Sequence, residues 1–420
     1  MLYDNALLVP AYLEAYQVTG REDFAKVARD ILRYVARDMT APEGAFYSAT
    51  DADSRGPDGE REEGLFFTWT PDEIAAVLDA EQARAVVAYF GVTDAGNFEG
   101  RTILHTPRSW RDVAAELGLS DASLRRTVGA AREQLYAARA TRRAPLRDDK
   151  ILTAWNGLMI ATMAKANQVL GDGRYLEAAR RASQFLKQNL MSDRGLLRRY
   201  RDGEATFDGY LDDYAYLISS LLTLYETDFD LSWIDWAREL QANQDQLLWN
   251  EQLGAYYFSR AGDPYLIRRS VDFVDGARPN SNAVSALNLL KLFALTFHTP
   301  YQDKAKALLA ANGGNLSHHP GAFAQTLIAL DYHLDRSKEI AVIGASSNAD
   351  TQAVLSWLRR SFNPNKTLSA GLPEQSDTLA LLARKPMIKG KTTVYVCEDT
   401  ICKLPTADLK QVQRLVSDIK

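Results

Sequence analysis

Several residue types and patterns are scarce in this sequence. Among 420 residues there are two cysteines and five histidines. Cys397 and Cys402, in "VCEDTIC", lack the spacing of a C-x-x-C redox pair, and two thiols with no histidine nearby make a poor zinc site. Reduced structural thiols are expected, as suits a cytoplasmic protein. His105, His298, His318, His319 and His333 form no H-E-x-x-H or i, i+4 ligand pair, so neither a metal nor another cofactor is expected. No apolar run reaches the roughly 18 residues of a membrane span. The opening "MLYDNALLVPAYLEAY" has no basic stretch ahead of its apolar residues, which is unlike a signal peptide. Positive charge is not in excess either: 49 Lys and Arg stand against 54 Asp and Glu, a net charge of −5, which argues against a nucleic-acid partner. A G-x-S-x-G nucleophile elbow is missing, which disfavours a serine hydrolase, and so is a Gly-rich phosphate loop.

What is present is helix. The chain is 46% hydrophobic and 25% charged, as in ordinary globular proteins, and carries 19 Tyr and 7 Trp. Eleven amphipathic segments fall near 3–18, 22–38, 71–90, 120–141, 151–170, 174–190, 212–227, 231–248, 281–297, 301–311 and 320–334. Short links such as "TGRED" and "LGDGR" join them in pairs, the pattern of stacked helical hairpins. Between pairs recur "PEGAFYSATDAD", "DRGLLRRYRDGE" and "LGAYYFSRAGD", each a glycine, an apolar or aromatic run and a polar turn, read as inserted β-hairpins. One pair cannot bury its apolar face alone, so neighbours must stack. The expected fold is mainly α, a closed toroid over 1–337 that 91–119 caps at one end. Residues 338–420, with strands "EIAVIGA" and "TTVYVCE" and two helices, read as a small α/β appendage.

Polar clusters sit at helix starts or in the hairpins: Tyr3 and Asp4; Asp51 and Asp53, with Glu63 and Trp69 shortly after; Asp149, Trp155 and Asn156 in "RDDKILTAWNG"; Asp212, Asp213 and Tyr214 in "GYLDDYAYL"; Asp275 and Asn282 in "VDGARPNSNAV". In a toroid these would converge on one mouth. Acids beside aromatic rings suit acid/base chemistry on sugars, which needs one carboxyl protonated and another ionised. A lone Asp at a helix start is commonly an N-cap. Asp213, inside an apolar helix, either faces the cavity or is a costly buried charge, and the cavity reading is preferred. Gly157 costs the helix roughly 1 kcal/mol relative to Ala, so a neighbouring helix or a ligand is expected to approach it closely.

Taken together, "MLYDNALL", "FYSATDADS", "EEGLFFTWT", "GNFEGRTILH", "DDKILTAWNGLMIA", "LDDYAYLISSLLTLYE", "DGARPNSNAVSALNLLKL" and "YVCEDTICKLPTAD" resemble the thioredoxin domain-containing family of the spermatogenesis-associated protein 20 and YyaL type. That resemblance implies an (α/α)6 toroid similar to six-hairpin glycosidases and N-acylglucosamine 2-epimerases. It also implies that a thioredoxin-like domain and the first toroid helix would precede Met1, and the count of eleven segments suits one missing helix. A seam left there would invite homo-oligomer contacts. The loop "RPNSNAV" departs from the family's Pro-Ser-Gly-Asn-Ser pattern, with Ser281 in place of the glycine. The functional expectation is a carbohydrate-active toroid, glycosidase-like or epimerase-like, with Asp213, Asp275 and Asp149 catalytic. Tyr3, Asp4, Asp51, Asp53, Glu63, Trp69, Trp155, Asn156, Asp212, Tyr214 and Asn282 would bind a sugar-like ligand. The alternative is a non-catalytic scaffold or binding domain.

Overall fold

The computed structural model describes residues 1–56, 58–262, 266–335, 337–372 and 379–416. In chain order the helices are α1 (Leu2–Thr19) and α2 (Glu22–Asp38); α3 (Pro71–Val77), α4 (Ala80–Phe90), α5 (Trp110–Leu117) and α6 (Asp121–Ala140); α7 (Thr153–Leu170), α8 (Gly173–Asn189), α9 (Leu211–Asp228), α10 (Leu231–Leu248), α11 (Ser281–Thr296), α12 (Thr299–Leu316) and α13 (Ala324–Leu334); then α14 (Ala349–Arg360) and α15 (Leu409–Val416). Two compact units result: Met1–Ser48 with Asp149–Lys420, and Ala49–Asp148.

In the first unit α1, α7, α9, α11 and α13 pack side by side in that order, and α2, α8, α10 and α12 back the first four. Burial follows this division. α9 is buried on nearly every face, as an inner helix must be, whereas α8 buries chiefly Ala179, Ala182, Phe185 and Leu186 on one face. The links are short because each helix stops cleanly. α1 and α7 end at Gly20 and Gly171, with φ of 69° and 75°, where glycine accepts the left-handed cap without a Cβ penalty. Asp172 then caps α8 by accepting from the Arg174 N–H. The fold is a mainly helical toroid of inner and outer helices carrying small β-hairpins.

The count of ring helices differs from expectation. The segments 71–90 and 120–141 belong to the second unit, so the first unit has nine ring helices among the described residues, where eleven were expected. Periodicity identifies a helix but not its packing partner.

Gly157 has a packing explanation. A Cβ built on it would lie 2.8 Å from both the Leu217 nitrogen and the Tyr216 carbonyl carbon, so the backbones of α7 and α9 meet there.

The C-terminal sheet runs Lys366–Gly371, Lys338–Ile343, Thr393–Glu398, Ile401–Cys402, with the first pair parallel and the rest antiparallel. It belongs to the first unit: the Tyr332 and Thr367 hydroxyls lie 2.7 Å apart, and the Tyr225 hydroxyl pairs with Ser369. Cys397 and Cys402 form a disulfide, where reduced thiols were expected. The reason is local. Asp399 and Thr400 both have positive φ, as in a two-residue type I′ turn, which sets the cysteines opposite each other in register.

Glu339 lies in the central strand, 5% exposed, and accepts from the Thr400 N–H at 3.1 Å. Burial raises its carboxyl to about 7. A carboxyl raised on folding favours the native state at low pH, and that advantage fades as pH climbs from about 4.3 through about 7. Denaturation of Glu339→Gln over that window should therefore give a flatter stability–pH curve than the parent; equal slopes would contradict the assignment.

The second unit packs α3, α4 and α6 around Trp69, Ile74, Val86 and Leu135, and α5 sets Val113 and Ala114 against Tyr89 of α4 and Leu124 of α6. Glu73 accepts from Arg101 and Arg142, and the Arg142 guanidinium lies 4.0 Å from the centre of the Trp69 ring.

Candidate functional site

The first turns of four inner helices converge on a cavity of about 460 Å³. α1 brings Tyr3, α7 Trp155, α9 Asp212 and Tyr216, and α11 Ser281 and Asn282; Phe258 and the loop 272–280 close one side. Tyr3 and Trp155 meet edge to face with ring centres 4.8 Å apart. The Tyr216 hydroxyl donates to the Pro279 carbonyl, fixing the loop against α9. Burial raises the Tyr216 hydroxyl above its ordinary range, so it remains a donor.

Asp212 is the acid most deeply set in the lining, with 3% of its side chain exposed. Its Oδ1 accepts from Arg198 at 2.9 Å and its Oδ2 from Arg278 at 2.8 Å. Asp213 beneath it is fully buried. Its Oδ1 accepts from the Ala154 N–H, and its Oδ2 from the Tyr210 N–H and from Arg198 at 2.7 Å. Burial and the neighbouring Asp212 charge push the Asp213 carboxyl upward, while Arg198 and the two backbone donors pull it back. Although burial opposes its charge, Arg198 is held above its ordinary value by Asp213 and Asp212. Asp213 thus ties α9 to α7 and to the strand Gly195–Arg201.

The other expected site residues divide by place. Asn156 is wholly buried. Its amide accepts from the Phe46 N–H at 2.8 Å and donates to the Phe46 carbonyl at 2.9 Å and the Leu152 carbonyl at 3.0 Å. Asn282 does the same to Tyr256, at 2.9 and 3.0 Å, and also reaches the Asp272 carbonyl. Tyr214 accepts from the Leu196 N–H. Tyr214 and Asn282 clamp the hairpin that precedes their helix, and Asn156 clamps the turn around Phe46 that follows α2. Asp275 accepts from the Asn280 and Gln325 N–H groups, holding its loop on the first turn of α13. Asp149 pairs with Arg201 at 2.8 Å, and Asp4 is exposed on α1. Asp51, Asp53, Glu63 and Trp69 lie in the second unit, where Arg61 pairs with both aspartates, Glu63 is exposed and Trp69 is core. The cavity lining comes wholly from the first unit.

Sequence reasoning missed Arg198, Arg278, Asp272, Phe258 and Tyr216. Arg278 sat inside a quoted cluster, and its only signal was a cation next to the acids. Among the described residues no group of three or more His, Cys, Asp or Glu is arranged to hold a metal ion, and no helix is long and apolar enough to cross a membrane.

The fold and cavity define a helical toroid with an aromatic and acidic mouth. No family model matches the chain. It is 34% identical over 457 residues to human spermatogenesis-associated protein 20, covering 99% of this chain and 57% of that protein, and 33% identical over 451 residues to the rat protein at the same coverage. The chain is thus similar to spermatogenesis-associated protein 20 along nearly all of its own length, and it spans less than two thirds of the length of these relatives. Among solved structures it is similar to a D-mannose isomerase (TM-score 0.38, 13% identity, 74% of each chain) and a family-76 α-mannanase of Bacteroides thetaiotaomicron (TM-score 0.33, 12% identity, 74% of this chain and 73% of that one).

Proposed function

We propose that the mouth binds a sugar-type ligand. The observation that carries this reading is the lining itself: Tyr3, Trp155, Tyr216 and Phe258 offer apolar ring surface, with Asp212, Asp272, Arg278 and Asn280 beside them. A sugar presents apolar C–H faces for stacking and hydroxyls for polar groups, and the volume lies within the usual range of ligand pockets. In this reading Asp212 and Asp272 contact the ligand. Asp213 and Asp275 position Asp212 and the loop, and Asp149 steadies the entrance to α7 through Arg201.

Binding without turnover is the second reading, favoured by one feature: each carboxylate oxygen of Asp212 already accepts from an arginine. Acid/base work on a glycosidic bond requires a carboxyl able to give or take a proton.

A thermal-shift screen against mono- and disaccharides, amino sugars and sugar phosphates tests the proposal. At least one sugar should raise the melting temperature of the parent and leave Trp155→Ala unmoved, with matching circular dichroism for both proteins. Product analysis by NMR then separates turnover from binding. No shift with any sugar, from a protein that melts cooperatively, would end the sugar reading.

A further inference from the structure

A second polar cluster lies further along the inner helices. Lys165 is ten residues beyond Trp155 on α7, roughly 15 Å at 1.5 Å per residue. Lys165, Lys291 of α11 and Lys366 of the strand Lys366–Gly371 are all half-buried, and their charges oppose one another. Arg359 of α14 adds a fourth cation. Its Nη2 donates to the Thr227 carbonyl, and its buried Nε has no partner.

Three acids face these four cations: Glu226 and Asp228 of α9 and Glu14 of α1. Glu226 is already engaged, 3.7 Å from the Lys291 Nζ and accepting from the Leu368 N–H at 3.3 Å. Asp228, which also attracts Arg359, accepts from Arg180 at 2.9 Å and Trp233 at 3.2 Å. Lys366 donates to the Leu358 carbonyl. Lys165 forms no hydrogen bond or ion pair among the described residues. Burial first, and the neighbouring Lys165 charge second, lower Lys366 to about 7; burial also lowers Lys165, with Glu14 and Glu226 opposing it and Lys291 adding to it. Withdrawing cations from water without matching anions is costly, and two outcomes relieve it: a lysine loses its proton, or an anion enters.

We propose that Lys165, Lys291 and Lys366, with Arg359 beside them, form a binding site for a small, doubly charged oxyanion of the phosphate class. The site is separate from the mouth and does not depend on the sugar reading. Only protonated lysines hold the anion, so binding takes up protons and weakens as pH rises through about 7.

Isothermal titration calorimetry with sodium sulfate tests this, because sulfate stays doubly charged across the range. Inorganic phosphate and the dicarboxylate malonate form parallel arms. The expected result is a saturable heat for sulfate and phosphate, with binding about tenfold tighter near pH 6.5 than near pH 8.5, and proton uptake seen as a dependence on buffer ionisation heat. Lys165→Met, which keeps the apolar stem, should weaken binding by about tenfold or more. No saturable heat at either pH, or heats unchanged in both Lys165→Met and Lys366→Met, would overturn the site. Malonate binding as tightly as phosphate would overturn the assigned class.

Discussion

Gly157→Ala is expected to destabilise the first unit by about 2 kcal/mol, although alanine is intrinsically the better helix former by roughly 1 kcal/mol. The new Cβ would meet backbone atoms of α9 at 2.8 Å, and backbone cannot turn aside as a flexible side chain can. α7 and α9 would have to separate along their shared length, loosening contacts around Met163, Leu217 and Leu221 in the core. Gly129 supplies the control. It lies inside α6 with nothing within 4 Å of an added Cβ. Gly129→Ala should therefore stabilise the second unit by up to about 1 kcal/mol. Urea denaturation of both variants decides the matter: stabilisation by both substitutions would mean that helix propensity, not the α7–α9 contact, governs position 157.

The other large effect is expected at the paired aspartates. Asp213→Ala removes the acceptor of two buried N–H groups and of a partly buried arginine, and should cost roughly 3–5 kcal/mol. Asp212→Asn keeps an acceptor toward one arginine and changes the cavity wall, so its loss of stability should be smaller and its effect on any sugar-induced thermal shift larger. Denaturation midpoints and ligand shifts measured on both proteins separate the roles. A folded, stable Asp213→Ala that alone loses ligand response would move the chemistry back to Asp213.

The helical hairpins were legible because their signals are local: a 3.6-residue period, a glycine stop and an aspartate start, as at Gly171 and Asp172. Convergence of the inner-helix starts also followed from the repeat. The amide clamps were not legible. Asn156 and Asn282 sit beside aromatic and acidic residues, and a sequence cannot show whether an amide faces solvent or the backbone of Phe46 or Tyr256. The cations that pair with Asp212 were hidden for a related reason: Arg198 comes from a strand and Arg278 from a loop, and they meet through Asp212. Cys397 and Cys402 were misread because register across a two-residue turn, not spacing along the chain, makes them partners.

The second unit enters and leaves through a narrow neck: Ala49 pairs with Asp148, and Thr50 with Arg147. This pairing bears on how quickly the toroid can assemble. α1 packs on α7, yet about a hundred residues, Ala49–Asp148, separate Ser48 from Asp149. Once that unit has folded, its paired ends reduce the gap to little more than one strand spacing. By the logarithmic cost of loop closure, shortening the link between contacting α1 and α7 residues such as Ala6 and Thr162, which lie 156 residues apart, by the roughly hundred residues of the second unit saves about 1 kcal/mol of chain entropy. A contact that is long-range along the sequence then behaves as a shorter-range one, and shorter-range contacts form faster. The neck makes prior folding of the second unit a kinetic aid to closing α1 against α7.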